Sequence, residues 1–137
     1  KVQRVYTALA EGILEAESGT VDAPIGRHPV DRKKMAVNTK NGRPAVTHFK
    51  VLRRYRDCTL TECRLETGRT HQIRVHMAYI GHPIAGDPVY GKRNNRGLAG
   101  QALHAGKLIL THPRTGEKMT FTAPLPADFI NLLNVLE

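Results

Sequence analysis

The residues with the greatest chemical potential lie together in Glu66-Thr67-Gly68-Arg69-Thr70-His71-Gln72-Ile73-Arg74-Val75-His76-Met77. Gly68 relaxes a turn, and Thr70 is predicted to cap a helix whose free backbone donors face the preceding loop. His71 and Arg74 are three residues apart and so share one helical face. Ile73 and Met77 share another, facing the core. Arg74 then lies in the first turn, at the border of core and cleft. An arginine there can hold a carboxylate or phosphate with two parallel hydrogen bonds. A structural ion pair or an exposed arginine is the plainer reading.

Other chemistries fit the residue types but not their spacing. His71 and His76 are five apart, about 140° around a helix axis, whereas a zinc pair on one helix needs three or four. Cys58 and Cys63 also lack metal-ligand spacing, so no metal is expected. A disulfide between them is disfavoured, because their odd spacing on a strand points them to opposite faces. Two buried thiols in a reduced, cytosolic protein fit better. No serine nucleophile elbow or phosphate-binding glycine loop occurs. Tyr6, taken alone, reads as a sheet or core tyrosine. Gly86-Asp87-Pro88-Val89-Tyr90-Gly91 reads as a turn with an aromatic plug.

The charge balance points to a polyanion. The 137 residues carry 21 Lys and Arg against 12 Asp and Glu, a formal net charge of +9. The excess is concentrated between Arg27 and Arg56, where Asp31 is the one acid. Phosphate neutralisation releases counterions and rewards such density, although a solvated basic face would look the same. Few aromatics and no Trp argue against a platform for stacking single-stranded bases. No apolar run approaches the ~18 residues needed to cross a bilayer, so no membrane partner is expected.

The elements that must position these residues follow from periodicity. Residues 2–16 read as a strand or a hairpin broken near Gly12. Gly19 to Pro24 has turn chemistry, and Ile25 to Pro44 reads as a long basic loop with little regular structure. Val46–Tyr55 and Cys58–Glu66 alternate and form a predicted antiparallel hairpin. A helix through Ile73, Met77 and Ile80 stops at Gly81. Gly91 to Gly100 is a polar, basic loop. Ala102–Leu110 and Lys118–Ala123 are further strands. A last helix follows Pro126, with Phe129, Leu132, Leu133 and Leu136 on its apolar face. This order predicts an α+β domain built on a mainly antiparallel sheet with a few helices.

The stretch Gly68-Arg69-Thr70-His71-Gln72-Ile73-Arg74-Val75-His76-Met77, with Gly81-His82-Pro83-Ile84 and Gly86-Asp87-Pro88-Val89-Tyr90-Gly91, resembles motif III of the RNA pseudouridine synthases related to ribosomal large-subunit synthases A, C and D. Arg4-Val5-Tyr6-Thr7-Ala8 with Gly12 is similar to that family's lysine-x-tyrosine strand, with Arg4 for the usual lysine. His104-Ala105, Leu108 and His112-Pro113 resemble its late strand. Pro24 to Pro29, Met35 to Val37 and Pro44 to Thr47 resemble the synthase D subgroup best. The likeness covers nearly the whole chain.

The resemblance implies the pseudouridine synthase fold and the conversion of uridine to pseudouridine in 23S ribosomal RNA, without metal or organic cofactor. It implies catalytic roles for Tyr6, against the base, and for Arg74, paired with a catalytic aspartate. It implies RNA contacts from Arg27, His28, Arg32, Lys33, Lys34 and Arg43 in the basic loop and from Arg69, His71 and Ile73 in the cleft. The family's nucleophile belongs to a histidine-arginine-leucine-aspartate motif upstream of the lysine-x-tyrosine strand, and that motif is absent from residues 1–137. Arg64-Leu65-Glu66 is only superficially similar, and neither Asp31 nor Asp87 matches. The chain is therefore expected to be the C-terminal part of a catalytic domain, inactive alone, whose partners are large-subunit ribosomal RNA and the upstream half of the same domain. Self-association through an exposed sheet edge is also expected. The alternative is a non-catalytic RNA-binding module; a metal-dependent hydrolase fails on ligand spacing.

Overall fold

Alternation of apolar and polar residues dictates strands, and their pairing dictates one sheet. The structure, a computed structural model, describes residues 2–137. The strands are β1 (Val2–Glu11), β2 (Ser18–Asp22), β3 (Ile25–Arg27), β4 (Met35–Val37), β5 (Val46–Arg54), β6 (Cys58–Leu65), β7 (Leu103–Thr111) and β8 (Lys118–Thr122). The helices are α1 (Gln72–Tyr79) and α2 (Ala127–Leu136). Six strands form an antiparallel sheet in the order β2-β5-β6-β1-β7-β8, leaving β2 and β8 as its edges. This is the expected α+β architecture.

Central β1 begins half-exposed and ends buried on both faces, with Ala8, Leu9 and Ala10 fully covered. Small alanines let the segment after α1 lie close: Ala85 N–H donates to the Leu9 carbonyl at 2.8 Å, and Glu11 N–H to that of Pro83 at 2.8 Å. The β1–β7 register shifts between Val5, opposite Lys107, and Tyr6, opposite Ala105. Gly106 is thus left without a partner on β1, a bulge beside Tyr6. Bulges re-aim side chains next to sites.

Three local readings are corrected. Gly19 to Pro24 is not simply a turn, because Ser18–Asp22 is the edge strand β2 paired to β5. Gly19 lies opposite Phe49, and a Cβ there would come within 2.7 Å of the Phe49 ring. The glycine leaves room for an aromatic cover rather than bending the chain. Ile25 to Pro44 is not wholly irregular, since β3 and β4 pair as a separate two-stranded sheet. Thr70 does not cap α1. The N-cap is His71, with φ 55° and no side-chain cap. Gln72 closes that turn instead: its Oε1 accepts from the Arg69 amide at 3.0 Å and from the Thr67 hydroxyl at 2.7 Å.

The far end of α1 follows the sequence. Gly81 has φ 89°, its N–H donates to the Ala78 carbonyl, and that of His82 donates to Met77. This paired closure is the Schellman arrangement that glycine favours. On α2, Phe129 is buried while Leu132, Leu133 and Leu136 pack on the main core, the face that periodicity predicts. Among the described residues no helix is long and apolar enough to cross a membrane.

Candidate active-site cleft and its basic hairpin

Strand β1, the turn after β6 and the start of α1 enclose a cleft of about 620 Å³. That volume lies in the range of ligand sites. Tyr6, Arg69, His71, Ile73 and Arg74 all line it, together with Arg4, Glu66 and Leu103. Five residues expected to act together therefore converge. Ile73 is buried, whereas Tyr6 is half-buried and packs on the core.

A buried polar network fixes the cleft wall. The His76 Nε2–H donates to the Ala23 carbonyl at 2.8 Å, which leaves Nδ1 to accept from the Thr47 hydroxyl at 2.8 Å. Thr47 accepts in turn from the Gln72 amide at 3.0 Å, and Gln72 also donates to the Val46 carbonyl at 2.9 Å. The Val46 amide donates to Thr67 Oγ1 at 3.0 Å. Every partner in this chain has a defined role, so α1 and the Thr67–Arg69 turn are locked to β5. Burial holds the His76 imidazole below its ordinary value, consistent with a neutral ring.

Arg74 makes a two-pronged ion pair. Its Nε and Nη2 donate to Asp87 Oδ2 and Oδ1 at 2.8 and 2.9 Å, and the Asp87 side chain is 0% exposed. Asp87 Oδ1 accepts further from the amides of Val89 at 2.9 Å and Tyr90 at 3.1 Å. Burial alone would push the Asp87 carboxyl up, but the Arg74 fork and the two amides outweigh it and hold it below the usual carboxylate range. The same fork raises the Arg74 value. Nη1 of Arg74 carries no hydrogen bond among the described residues, while the residue still lines the cleft. The Tyr90 ring lies beneath the guanidinium, 5.2 Å from Cζ to centroid.

His71 and Arg74 do share a neighbour, although His71 precedes the helix. The Tyr90 hydroxyl lies 2.9 Å from His71 Nδ1, and the two rings meet edge-on at 5.7 Å. Burial first, then the Arg74 charge, lowers the His71 value. Arg69 lies at the cleft mouth, its Nε donating to the Pro44 carbonyl at 2.7 Å.

The other expected RNA contacts lie elsewhere, on the small β3–β4 sheet and its flanks. Arg27, Arg32, Lys33 and Arg43 are exposed, and His28 and Lys34 are half-buried. His28 acts locally, because its Nδ1 accepts from the amides of Val30 at 3.1 Å and Asp31 at 2.9 Å and so shapes the turn. None of these six lines the cleft.

Sequence reasoning missed Asp87 and Tyr90, which it read as turn and plug. It also missed Glu11, 4% exposed, which takes both prongs of Arg96 at 2.8 and 2.9 Å and pins the second basic loop to β1. The free thiols Cys58 and Cys63 are buried, and burial pushes both up to about 11, which suits inert packing. Among the described residues no three His, Cys, Asp or Glu side chains group to hold a metal.

Comparison with known proteins places the chain among relatives of one family. The family model described as RNA pseudouridylate synthase matches residues 1–79. The chain is 58% identical over 135 residues to "Uncharacterized RNA pseudouridine synthase YlyB" of Bacillus subtilis, covering 98% of the chain and 44% of that protein. It is 52% identical over 143 residues to "Ribosomal large subunit pseudouridine synthase D" of Nitrosomonas europaea, covering 98% and 41%. The chain thus spans less than half the length of these relatives. Among solved structures, human RNA pseudouridylate synthase domain containing 4 superposes with a TM-score of 0.78 at 27% identity, covering 98% of this chain and 62% of that one.

Proposed function

The chain belongs to the RNA pseudouridylate synthase family, and from that premise we propose that it forms the C-terminal part of a catalytic domain that isomerises uridine in large-subunit ribosomal RNA. The observation that carries this reading is the convergence of Tyr6, Arg69, Ile73 and Arg74 on one cleft. The target uridine flips out of its stack to reach it. Tyr6 packs on the base and is the candidate for removing the proton from carbon five. Ile73 borders the base from the helix side. A catalytic aspartate attacks the nucleotide, the glycosidic bond breaks, and the base is rejoined through carbon.

That aspartate comes from the upstream half of the domain. Two features support an imported nucleophile. Among the described residues the one carboxylate lining the cleft is Glu66, and it bonds His48. Arg74 lines the cleft and has no hydrogen bond from Nη1 among the described residues, which leaves a donor for a second carboxylate. The exposed cations of the basic hairpin supply the phosphate contacts that hold the RNA. The D-type relatives favour a large-subunit rRNA substrate.

Pseudouridine detection by mass spectrometry tests the reading. The expected result is binding of large-subunit rRNA fragments without isomerisation by residues 1–137, and isomerisation when the upstream segment with the aspartate motif is joined to them. Pseudouridine formed by the chain alone would contradict the imported nucleophile. A joined protein that stays inactive would favour the non-catalytic RNA-binding module.

A further inference from the structure

The β3–β4 sheet is too small to hold its own position. Each strand has three residues, and an isolated two-stranded pair of any length is marginal in water. Its placement depends on what it is tied to. At its base, Ile25 exchanges two hydrogen bonds with Arg43, each 2.9 Å, and Ile25 packs with Ala45 and Val75. The other strand packs Met35 and Val37 against the same cluster and has one polar tie besides. The Met35 amide, turned away from β3, donates to the Tyr90 hydroxyl at 2.9 Å across 55 residues of sequence.

Tyr90 is placed to carry information in both directions. Its oxygen accepts from the Met35 amide, and its hydroxyl, 2.9 Å from His71 Nδ1, can donate there. In that arrangement His71 accepts at Nδ1 with its hydrogen on Nε2. The ring of the same tyrosine underlies Arg74. Its amide is bound to Asp87. Gly91 lets the turn close this tightly, since a Cβ there would meet the Asp87 carbonyl at 2.4 Å. One side chain thus touches the hairpin through its hydroxyl and the cleft arginine through its face.

We propose that Tyr90 is a positioning residue that sets the basic hairpin in register with the cleft, so that phosphates held by Arg32, Lys33 and Lys34 present the nucleotide at Tyr6. This deepens the RNA-modifying reading above and rests on it. Without the hydroxyl, β4 keeps its apolar packing but loses its polar tie to the turn, and the hairpin cations sample positions from which they cannot all reach one RNA backbone.

The test compares Tyr90→Phe with the wild-type chain. Phenylalanine keeps the ring under Arg74 and removes only the hydroxyl. Amide exchange at Met35 is expected to quicken by about tenfold, as for loss of roughly one hydrogen bond, with β1 and β6 amides unchanged. Binding to an rRNA stem-loop, read by fluorescence anisotropy, is expected to weaken by about 3- to 10-fold. The slope of log affinity against log salt should flatten by the equivalent of about one or two phosphates. A purely structural tyrosine would lower the melting temperature without changing that slope. Met35→Pro removes the donor from the hairpin side, at a strand start where proline is tolerated, and should reproduce the same two binding changes. An unchanged Met35 exchange rate overturns the proposal. So does faster exchange with wild-type affinity and slope. A wild-type chain that binds no RNA sinks the RNA reading instead, and the exchange rate alone then decides whether Tyr90 holds the hairpin.

Discussion

Asp87→Asn is the substitution that most directly weighs the Arg74 pair. The asparagine oxygen can still accept from the Val89 and Tyr90 amides, which bond Asp87 Oδ1 at 2.9 and 3.1 Å. Its NH2 group, however, faces a donor. Arg74 then keeps its charge in a setting where its side chain is only 11% exposed. Removing one partner of a buried ion pair costs about 3–5 kcal/mol, because the other charge is left uncompensated. Here Arg74 borders the cleft and can recruit water, so the lower end applies, about 3 kcal/mol. With a urea dependence of about 2 kcal/mol per molar, the unfolding midpoint should fall by about 1.5 M. Arg74→Met combined with Asp87→Asn removes the stranded charge and should recover at least about 1 kcal/mol of that loss. The wild type should also be acid-sensitive through this carboxylate. Its folded value lies below the ordinary 3.8, so the stability it confers is full above about pH 4 and is lost as pH falls through the folded value. A loss under about 1 kcal/mol for Asp87→Asn, or a double mutant whose loss equals the sum of the singles, would refute a coupled buried pair.

Two further substitutions address the rest of the framework. The His76 value is held below 6.5 by burial, so the unfolded chain takes up the proton first; stability is full above about pH 6.5 and declines below it. Urea melts at pH 7.5 and 5.5 should show that decline in the wild type and less of it in His76→Asn, with His71 supplying what remains. That variant should also cost about 1–3 kcal/mol at pH 7.5, because Thr47 and the Ala23 carbonyl lose a partner. Arg96→Met strands Glu11 and should cost about 3 kcal/mol by chemical denaturation, whereas Glu11→Gln with Arg96→Met should be milder. Equal losses in the single and double variants would show that Glu11 gains nothing from the pair.

Legibility in the sequence followed the range of the interaction. The β5–β6 hairpin is readable because Thr47, Phe49, Thr61 and Cys63 repeat every second residue and all face the core. The stop of α1 is readable because Gly81 supplies a positive φ. Strands of three residues carry no period to detect, so β3 and β4 vanish into a basic loop. Gly19 misleads because a glycine that makes room for a ring across the sheet looks the same as one that bends the chain. Thr70 misleads because Gln72, a residue with no special cap propensity, folds back onto the turn. Asp87 and Arg74 are 13 residues apart, and nothing in a Gly-Asp-Pro turn announces which cation it meets. Of the site residues drawn from motif resemblance, Tyr6, Arg69, His71, Ile73 and Arg74 meet in one cleft while the six on the basic hairpin lie outside it, and the groups that orient the cleft residues are visible only in the folded chain.

The orienting groups alter the electrostatic reading of the cleft. The motif resemblance casts Arg74 as the cation that keeps a catalytic aspartate ionised. Its charge is already matched by Asp87 at 2.8 and 2.9 Å, so by itself it offers an incoming carboxylate a directed N–H more than a net charge. The cleft's uncompensated positive charge lies on Arg69, whose Nε meets a carbonyl rather than an acid, and on Arg4, which has no ion-pair partner among the described residues. Glu66, the one acid in the lining, is engaged with His48. A second carboxylate entering this cleft therefore meets geometry from Arg74 and field from Arg69 and Arg4. Both would favour its charged form, and pairing with Asp87 does not by itself bar Arg74 from a second acceptor.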